Sequence, residues 1–435
     1  METLIYFSLS VFIQFCNYTK LYLHLCFHLK YIAMSKTKNA TGPPVVGADF
    51  IGRKLELEQA FHLLSLGNHL RIPAPRRVGK TSFTKALLAL AKKQEWKGVF
   101  IDVMGQKTEL EFVKKLLDAF ESDKSWLTQK FNSVLKSAKT AFSDLEMKVS
   151  LGEDLPEVSF KWNSPQTADL REKLEHLING LGNCLIVIDE LPWLLARLEK
   201  LPNGQERTSD LLYWLRPLRQ GKIETNNLAY PRWVFCGSIS FESITERMLL
   251  TGAINDVDEF ILGEYPPHEA EECLVALSNN PANRFVMSAE LRTAVIDYLQ
   301  RPLPYYLQLL FSRLKSIQET QNRSVTVEDL PKAIELVAKS SNLNTWFERL
   351  TEQYLPDDER LAKIILDQLC QTEGRSRNQL ERLLIKNQVP IEAAKDRTAY
   401  LIRSLSRDGY LMENEGQYTF RSPLLKKYWY NNRIK

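Results

Sequence analysis

Apolar residues recur at helical spacing over 55–66, close into a short run over 69–74, and return to helical spacing over 80–93, where Phe83, Leu87, Leu88 and Leu90 mark one face. That order predicts strand, loop, helix. GVFIDV (98–103) predicts a second strand, within reach of a right-handed crossover. Helices with charged faces are predicted at 110–120 and 170–181, around a stretch of weak periodicity at 143–162. CLIVI (184–188) is continuously apolar, as in a parallel strand buried on both faces. A helix at 211–219, a strand at 232–237 (RWVFCG) and a last strand at 259–262 follow. From 266 to 356 the text is helical, most clearly over 291–314 and 327–339. Strands alternating with helices indicate an α/β sheet.

The tail has a different pattern. Helices are predicted at 361–369, 378–384 and 392–406, then short strands at 410–412 and 418–420 around a Glu-Asn-Glu-Gly turn. Three helices and a hairpin make the winged helix-turn-helix arrangement. At the other end, residues 35–47 form a polar, Pro/Gly-containing linker. The expected division is an extension and linker at 1–47, an α/β domain at 48–265, a helical lid at 266–355 and a winged helix at 356–435. Neither internal repeats nor low-complexity segments interrupt it.

Residues 1–33 stand apart. Positions 3–19 carry no charge, yet Ser8, Ser10, Gln14 and Asn17 break the run before Lys20, which is short of the ~20 apolar residues a span requires. Glu2 is not the basic leader of a signal peptide. Met34 opens a polar lead-in, MSKTKNATGPP, so the expectation is that 1–33 is not part of the native protein; a membrane anchor and a partner-binding segment are the alternatives.

Composition narrows the class. With 435 residues, 25% charged and 44% apolar, the chain is globular, neither disordered nor fibrous, and long enough for two or three domains. Its 57 Lys and Arg against 53 Asp and Glu give +4; residues 356–435 hold 15 against 11, which leaves 42 against 42 elsewhere, so the whole excess sits in the tail. The six cysteines lie far apart with no C-x-x-C pair, which argues against zinc ribbons, redox pairs and a disulfide scaffold and for a cytoplasmic location. Cys184 and Cys236 are expected to be small buried hydrophobes.

The chemistry begins at 74–81, A-P-R-R-V-G-K-T. The G-x-x-x-x-G-K-[ST] pattern wraps backbone N–H groups around a phosphate at a helix N-terminus. Pro75, Arg76, Arg77, Val78, Gly79 and Ser82 would line that cradle, Lys80 would meet the β- and γ-phosphates, and Thr81 would ligate Mg²⁺. Ala74 stands where the pattern has Gly, which requires a negative φ there. The competing reading is a loop with Arg76, Arg77 and Lys80 solvated. The strand before and the helix after favour the phosphate loop.

A second motif supports it. The 184–188 strand delivers Asp189 and Glu190 to its C-terminal end, where open α/β sheets bind ligands. Asp189 would hold Mg²⁺ through water, and Glu190 would orient or deprotonate an attacking water. The bland alternative is an acidic helix start. Ser238, just past the 232–237 strand, could contact the γ-phosphate or the water, or merely cap a turn. Arg216, Arg219 and Arg247 are arginine-finger candidates, each read first as a solvated helix residue.

Together FIGRKLELEQAF (50–61), RRVGKT (76–81), LIVIDELPWL (185–194), FCGSIS (235–240), PYYLQLL (304–310) and YTFRSPLLKKYW (418–429) resemble the archaeal-type P-loop ATPases of the AAA+/STAND group, from about residue 50 to the C-terminus. The resemblance implies an ASCE-type parallel sheet, with the strand before Ser238 between the phosphate-loop and Asp-Glu strands, then a helical lid and a winged helix. It implies ATP and Mg as ligands, and puts Ile51, Gly52 and Arg53 near the adenine. Pro304 matches the lid proline, with Leu303 in place of the Gly of G-x-P. Members are switch-like or chaperone-like ATPases, so a protein client or self-assembly would be the partner.

The expected function is therefore a Mg-dependent ATPase acting as a conformational switch. The alternative is a DNA-binding regulator whose P-loop domain only senses nucleotide, with Lys395, Arg397, Arg403 and Arg407 of the third tail helix on DNA. Glu392, Asp396, Asp408, Glu413 and Glu415 in the same module would repel phosphates, which favours packing or partner binding.

Overall fold

The computed structural model describes residues 37–74, 77–122, 129–151, 160–220, 230–237 and 241–435. In chain order, α1 (Lys54–Ser65) leads to β1 (His69–Pro73), α2 (Lys80–Lys93), β2 (Lys97–Asp102), α3 (Glu109–Ser122), α4 (Gln129–Leu151) and α5 (Ala168–Asn179). Next come β3 (Cys184–Asp189), α6 (Leu191–Glu199), α7 (Gly204–Gln220), β4 (Arg232–Gly237), α8 (Phe241–Arg247) and β5 (Val257–Glu259). A helical run follows: α9 (Pro267–Ser278), α10 (Ala289–Leu299), α11 (Pro304–Gln321), α12 (Leu330–Ala338) and α13 (Thr345–Gln353). The tail comprises α14 (Pro356–Cys370), β6 (Arg375–Ser376), α15 (Arg377–Lys386), α16 (Ile391–Arg407), β7 (Leu411–Asn414), β8 (Gln417–Phe420) and α17 (Pro423–Trp429).

The main sheet has the order β2-β3-β4-β1-β5, every pair parallel. This is the P-loop NTPase α/β fold that the sequence implied, and β4 lies between the phosphate-loop strand and the Asp-Glu strand as expected. Both faces are covered. Leu185 and Val187 of β3 join one core with α1 and α2, while Cys184, Ile186 and Ile188 join the other with α3, α5 and α6. Every residue of β3 and β4 is buried, which explains the apolar runs at 184–188 and 233–236. The first core runs on without interruption through α9–α13 into α14–α17, ending on Trp346, Tyr428 and Trp429.

Local differences have local reasons. The helical text at 291–314 is two helices, because Gln300 takes φ 55° and Pro302 and Pro304 follow within four residues. The last strand of the sheet forms at Val257–Glu259, ahead of the predicted 259–262, since its register is set by pairing with β1. Of the weakly periodic 143–162 stretch, 143–151 continues α4, and Phe160 and Trp162 are buried, Trp162 edge-on to Trp214 at 4.9 Å. In the tail, three helices and the hairpin form where expected, and Arg375–Ser376 adds a third antiparallel strand beside β8. No helix among the described residues is long and apolar enough to cross a membrane. The 1–33 segment lies outside the described residues. Cys184 and Cys236 are buried, as expected.

Candidate functional site

The C-terminal ends of β1, β3 and β4 meet at one edge of the sheet, where the chain leaves each strand for a helix. Gly79, at φ 96°, turns the phosphate loop into α2 so that Lys80 starts the helix. That φ suits glycine, which has no Cβ to clash. Ala74 is buried and is not among the residues at positive φ, so alanine is accommodated where the pattern has glycine. Gly237 ends β4 against the Pro192 ring; a Cβ there would lie 2.6 Å from Pro192 Cδ. This glycine is what lets α6 start close beside the adjacent strand.

Four predicted residues converge on this edge. Lys80 is 6% exposed, and its Nζ donates to Ala74 O at 2.6 Å. Burial lowers its pKa to about 8; Glu190 and Asp189 oppose that shift and Arg349 adds to it. Thr81 Oγ1 donates to Asp189 Oδ2 at 2.6 Å. Burial, then the neighbouring Glu190, raises the Asp189 pKa to about 6, against the Thr81 hydrogen bond. Asp189 Oδ1 is buried with no protein partner. Glu190 takes φ 62° as it caps α6, a left-handed conformation uncommon for a non-glycine residue and frequent at functional sites.

These side chains open onto a cavity of about 400 Å³, lined by Lys80, Thr81, Asp189, Glu190 and Arg77 together with Ile51, Gly79, Ser82, Tyr265, Pro304 and a stretch of chain from Ala40 to Val45. Arg77, at φ 72°, lays its guanidinium 4.1 Å over the Tyr305 ring at the start of α11. Helices after the sheet thus close over the phosphate loop. Val78 is buried beneath it. Pro75, Arg76 and Ser238 lie outside the described residues.

Ile51 lines the cavity, but Gly52 and Arg53 do not. Arg53 is buried, and its guanidinium is committed to Glu56 at 2.9 Å, Gly263 O at 2.5 Å and the Tyr265 ring at 4.7 Å. Its backbone N–H donates to Glu269 Oε1 at 2.9 Å. Arg53 therefore joins the 50–53 segment to α9. Two of the three finger candidates are also engaged: Arg219 is buried, bidentate to Asp256 at 2.8 and 2.9 Å, and Arg247 chelates Glu199. Neither is the solvated residue expected.

Two contributors escaped sequence reasoning. Arg349 of α13 is 1% exposed; it donates to Asp408 O at 3.4 Å, while its Nε and Nη2 have no protein partner. Its charge is felt at Lys80 although the two are far apart in the chain. The second is the stretch at 40–45, which reads as a linker.

The donor set suits a magnesium nucleotide. A hydroxyl beside a buried carboxylate with one unpartnered oxygen, plus an ammonium at a helix N-terminus, is the chemistry a hydrated divalent cation and a polyphosphate require. No separate cluster of three or more His, Cys, Asp or Glu able to hold a metal occurs among the described residues.

No family model matches the chain, and no curated protein matches it. Solved structures do. A Walker-type ATPase of Pyrococcus abyssi is similar at 15% identity and a TM-score of 0.58, over 90% of this chain and 99% of that one. The ORC2 protein of Aeropyrum pernix, solved as ADPNP–ADP complexes, is similar at 13% identity and a TM-score of 0.52, over 91% of this chain and 97% of that one. At such identities the likeness is one of fold.

Proposed function

We propose that the protein binds ATP with Mg²⁺ and hydrolyses it, using the energy as a conformational switch. The observation that carries this reading is the meeting of Lys80, Thr81, Asp189 and Glu190 in one cavity, with Asp189 Oδ1 left unpartnered. The two similar structures named above support it: one is a Walker-type ATPase, and the other was solved with ADPNP and ADP.

In this reading the α2 N-terminus and Lys80 bind the β- and γ-phosphates, with Pro75, Arg76, Arg77, Val78 and Gly79 forming the cradle. Thr81 and Asp189 would hold Mg²⁺, which would neutralise charge on the phosphate oxygens. Glu190 orients a water toward the γ-phosphorus and takes its proton as the new P–O bond forms and the bond to the β–γ bridging oxygen breaks. Ser238 is assigned to the γ-phosphate side, and Ile51 to the base. The cation–π contact of Arg77 with Tyr305 would let α11 respond to what occupies the loop.

The tail is read as a winged helix that packs against the ATPase rather than DNA. Arg397 pairs with Asp358 at 2.8 Å and Asp357 at 3.0 Å, and Arg407 with Glu246 of α8 at 3.2 Å. Arg421 pairs with Glu264 at 2.5 Å. Two of the four cations once available for DNA are thus spent within the molecule.

The test is ATP turnover with Glu190→Gln, with and without duplex DNA. Expected is retained ATP binding with turnover lost, about 10²–10⁴-fold, the usual contribution of a general base. A Glu190→Gln protein that hydrolyses at the parent rate would remove Glu190 from this role. A parent that binds nucleotide and duplex DNA but shows no turnover with or without DNA would favour the regulator reading.

A further inference from the structure

Residues 37–49 do not behave as a linker. Thr37 is buried, and its carbonyl accepts from Asn280 Nδ2 at 2.9 Å and Asn283 Nδ2 at 3.0 Å. Asn39 Nδ2 donates to Gln308 Oε1 at 2.7 Å and Gln308 O at 2.9 Å, its N–H donates to Asn283 Oδ1 at 3.2 Å, and the N–H of Ala40 reaches Gln308 Oε1 at 3.0 Å. Asn280, Asn283 and Gln308 are each more than nine-tenths buried, and all belong to the helical region after the sheet. The far end is tied to the phosphate helix, where the N–H of Val45 donates to Ser82 Oγ at 3.0 Å. Between these anchors Ala40, Gly42, Pro43, Pro44 and Val45 form one wall of the cavity.

The span therefore ties the phosphate helix to the helical region after the sheet along one side of the cavity. Pro43 and Pro44 stiffen it and offer no N–H, so the wall it presents is apolar and suits the face of a nucleobase more than a phosphate. Its anchors are side-chain amides already desolvated. Releasing the span in part leaves such groups unpaired, which is costlier than exchanging an exposed hydrogen bond with water.

We propose that residues 37–45 are a clasp closed over bound nucleotide, and that its amide anchors set the rate at which nucleotide leaves. This rests on the ATP-binding reading, with Asn280, Asn283 and Gln308 as positioning residues that act through the clasp. Nucleotide release then requires the helices after the sheet to let go of Thr37–Ala40, which links the motion of those helices to exchange.

The experiment uses the full chain and a fluorescent N-methylanthraniloyl ADP, chased with unlabelled ADP in a stopped-flow instrument. Asn39→Ala, a half-buried change on the clasp itself, removes the two anchoring bonds that its side chain makes to Gln308 and keeps the backbone one to Asn283. Release should accelerate about tenfold or more, the effect of losing one to two net hydrogen bonds, while association changes less. Gln308→Ala should act in the same direction, and a melting curve equal to the parent's at Asn39→Ala confirms that the fold is intact. As a second readout, trypsin cleavage after exposed Lys38 should be slowed by saturating ADP in the parent and be faster in Asn39→Ala without nucleotide. Release and cleavage unchanged in Asn39→Ala would overturn the clasp while leaving nucleotide binding in place. A parent protein that takes up no nucleotide, with Lys80→Ala indistinguishable from it, would instead overturn the ATP reading and the clasp with it.

Discussion

Lys80→Met should make the nucleotide-free protein more stable while removing its ability to bind ATP. The structure supplies the magnitude. The native Lys80 pKa is about 8 against 10.5 for the free side chain, because burial penalises the ammonium. At ~1.4 kcal/mol per pKa unit this is about 3 kcal/mol of destabilisation at neutral pH. Methionine recovers it but gives up the hydrogen bond to Ala74 O, worth ~1 kcal/mol, so the net expected gain is about 2 kcal/mol. The sign follows from proton uptake. Below pH 8 both states hold the proton and the cost is present in full; between pH 8 and 10.5 the unfolded chain binds more protons than the native one, so parent stability rises and the gap to Lys80→Met closes. Urea unfolding of both proteins without nucleotide, at pH 7 and at pH 9.5, measures it. Adding ATP at about a hundredfold excess over its dissociation constant should return ~2.7 kcal/mol to the parent only and reverse the order. A variant no more stable than the parent at pH 7, or a gap indifferent to pH, would refute the claim that Lys80 is held as a desolvated charge awaiting an anion.

Three further outcomes follow from the site and its supports. The Asp189 pKa, near 6, requires the carboxyl to ionise before it can hold a cation, so Mg-dependent ATP binding measured by titration calorimetry should weaken as pH falls through 6, and this limb should be lost in Asp189→Asn. His69 is buried with its pKa lowered to about 4, accepting from Trp233 N–H at 3.1 Å and donating to Arg219 O at 2.9 Å; the native state binds no proton there while the unfolded chain does, so thermal stability should drop between pH 6.5 and 4 and His69→Gln should blunt that drop. Arg349 depresses the Lys80 pKa, so Arg349→Met should shift the alkaline limit of nucleotide binding to higher pH, read from a fluorescent-ATP titration series.

The strand-loop-helix at 69–93 and the apolar strand ahead of Asp189-Glu190 were legible because their signals are local. A buried parallel strand must be apolar at every position, and an anion loop must have Gly79 before a helix start. Helix α2 and strand β4 fall on their predicted bounds for this reason. Less was legible where the determinant was distant. The β5 register depends on pairing with β1, and the role of Arg53 depends on Gly263, Tyr265 and Glu269, more than two hundred residues away. Arg216 and Arg219 look alike as text, yet only the fold brings Asp256 to Arg219.

By itself the sequence determined which chemical groups the chain places at the strand ends: an ammonium at a helix N-terminus, a hydroxyl beside it, and two carboxylates. Tertiary structure alone decided their state. Packing buries Lys80 and Asp189 and so moves both pKa values toward neutrality, brings a buried Arg349 within electrostatic reach, and fastens residues 37–45 across the cavity. Desolvation and long-range hydrogen bonding depend on what the rest of the chain places around a residue, and no local pattern records that.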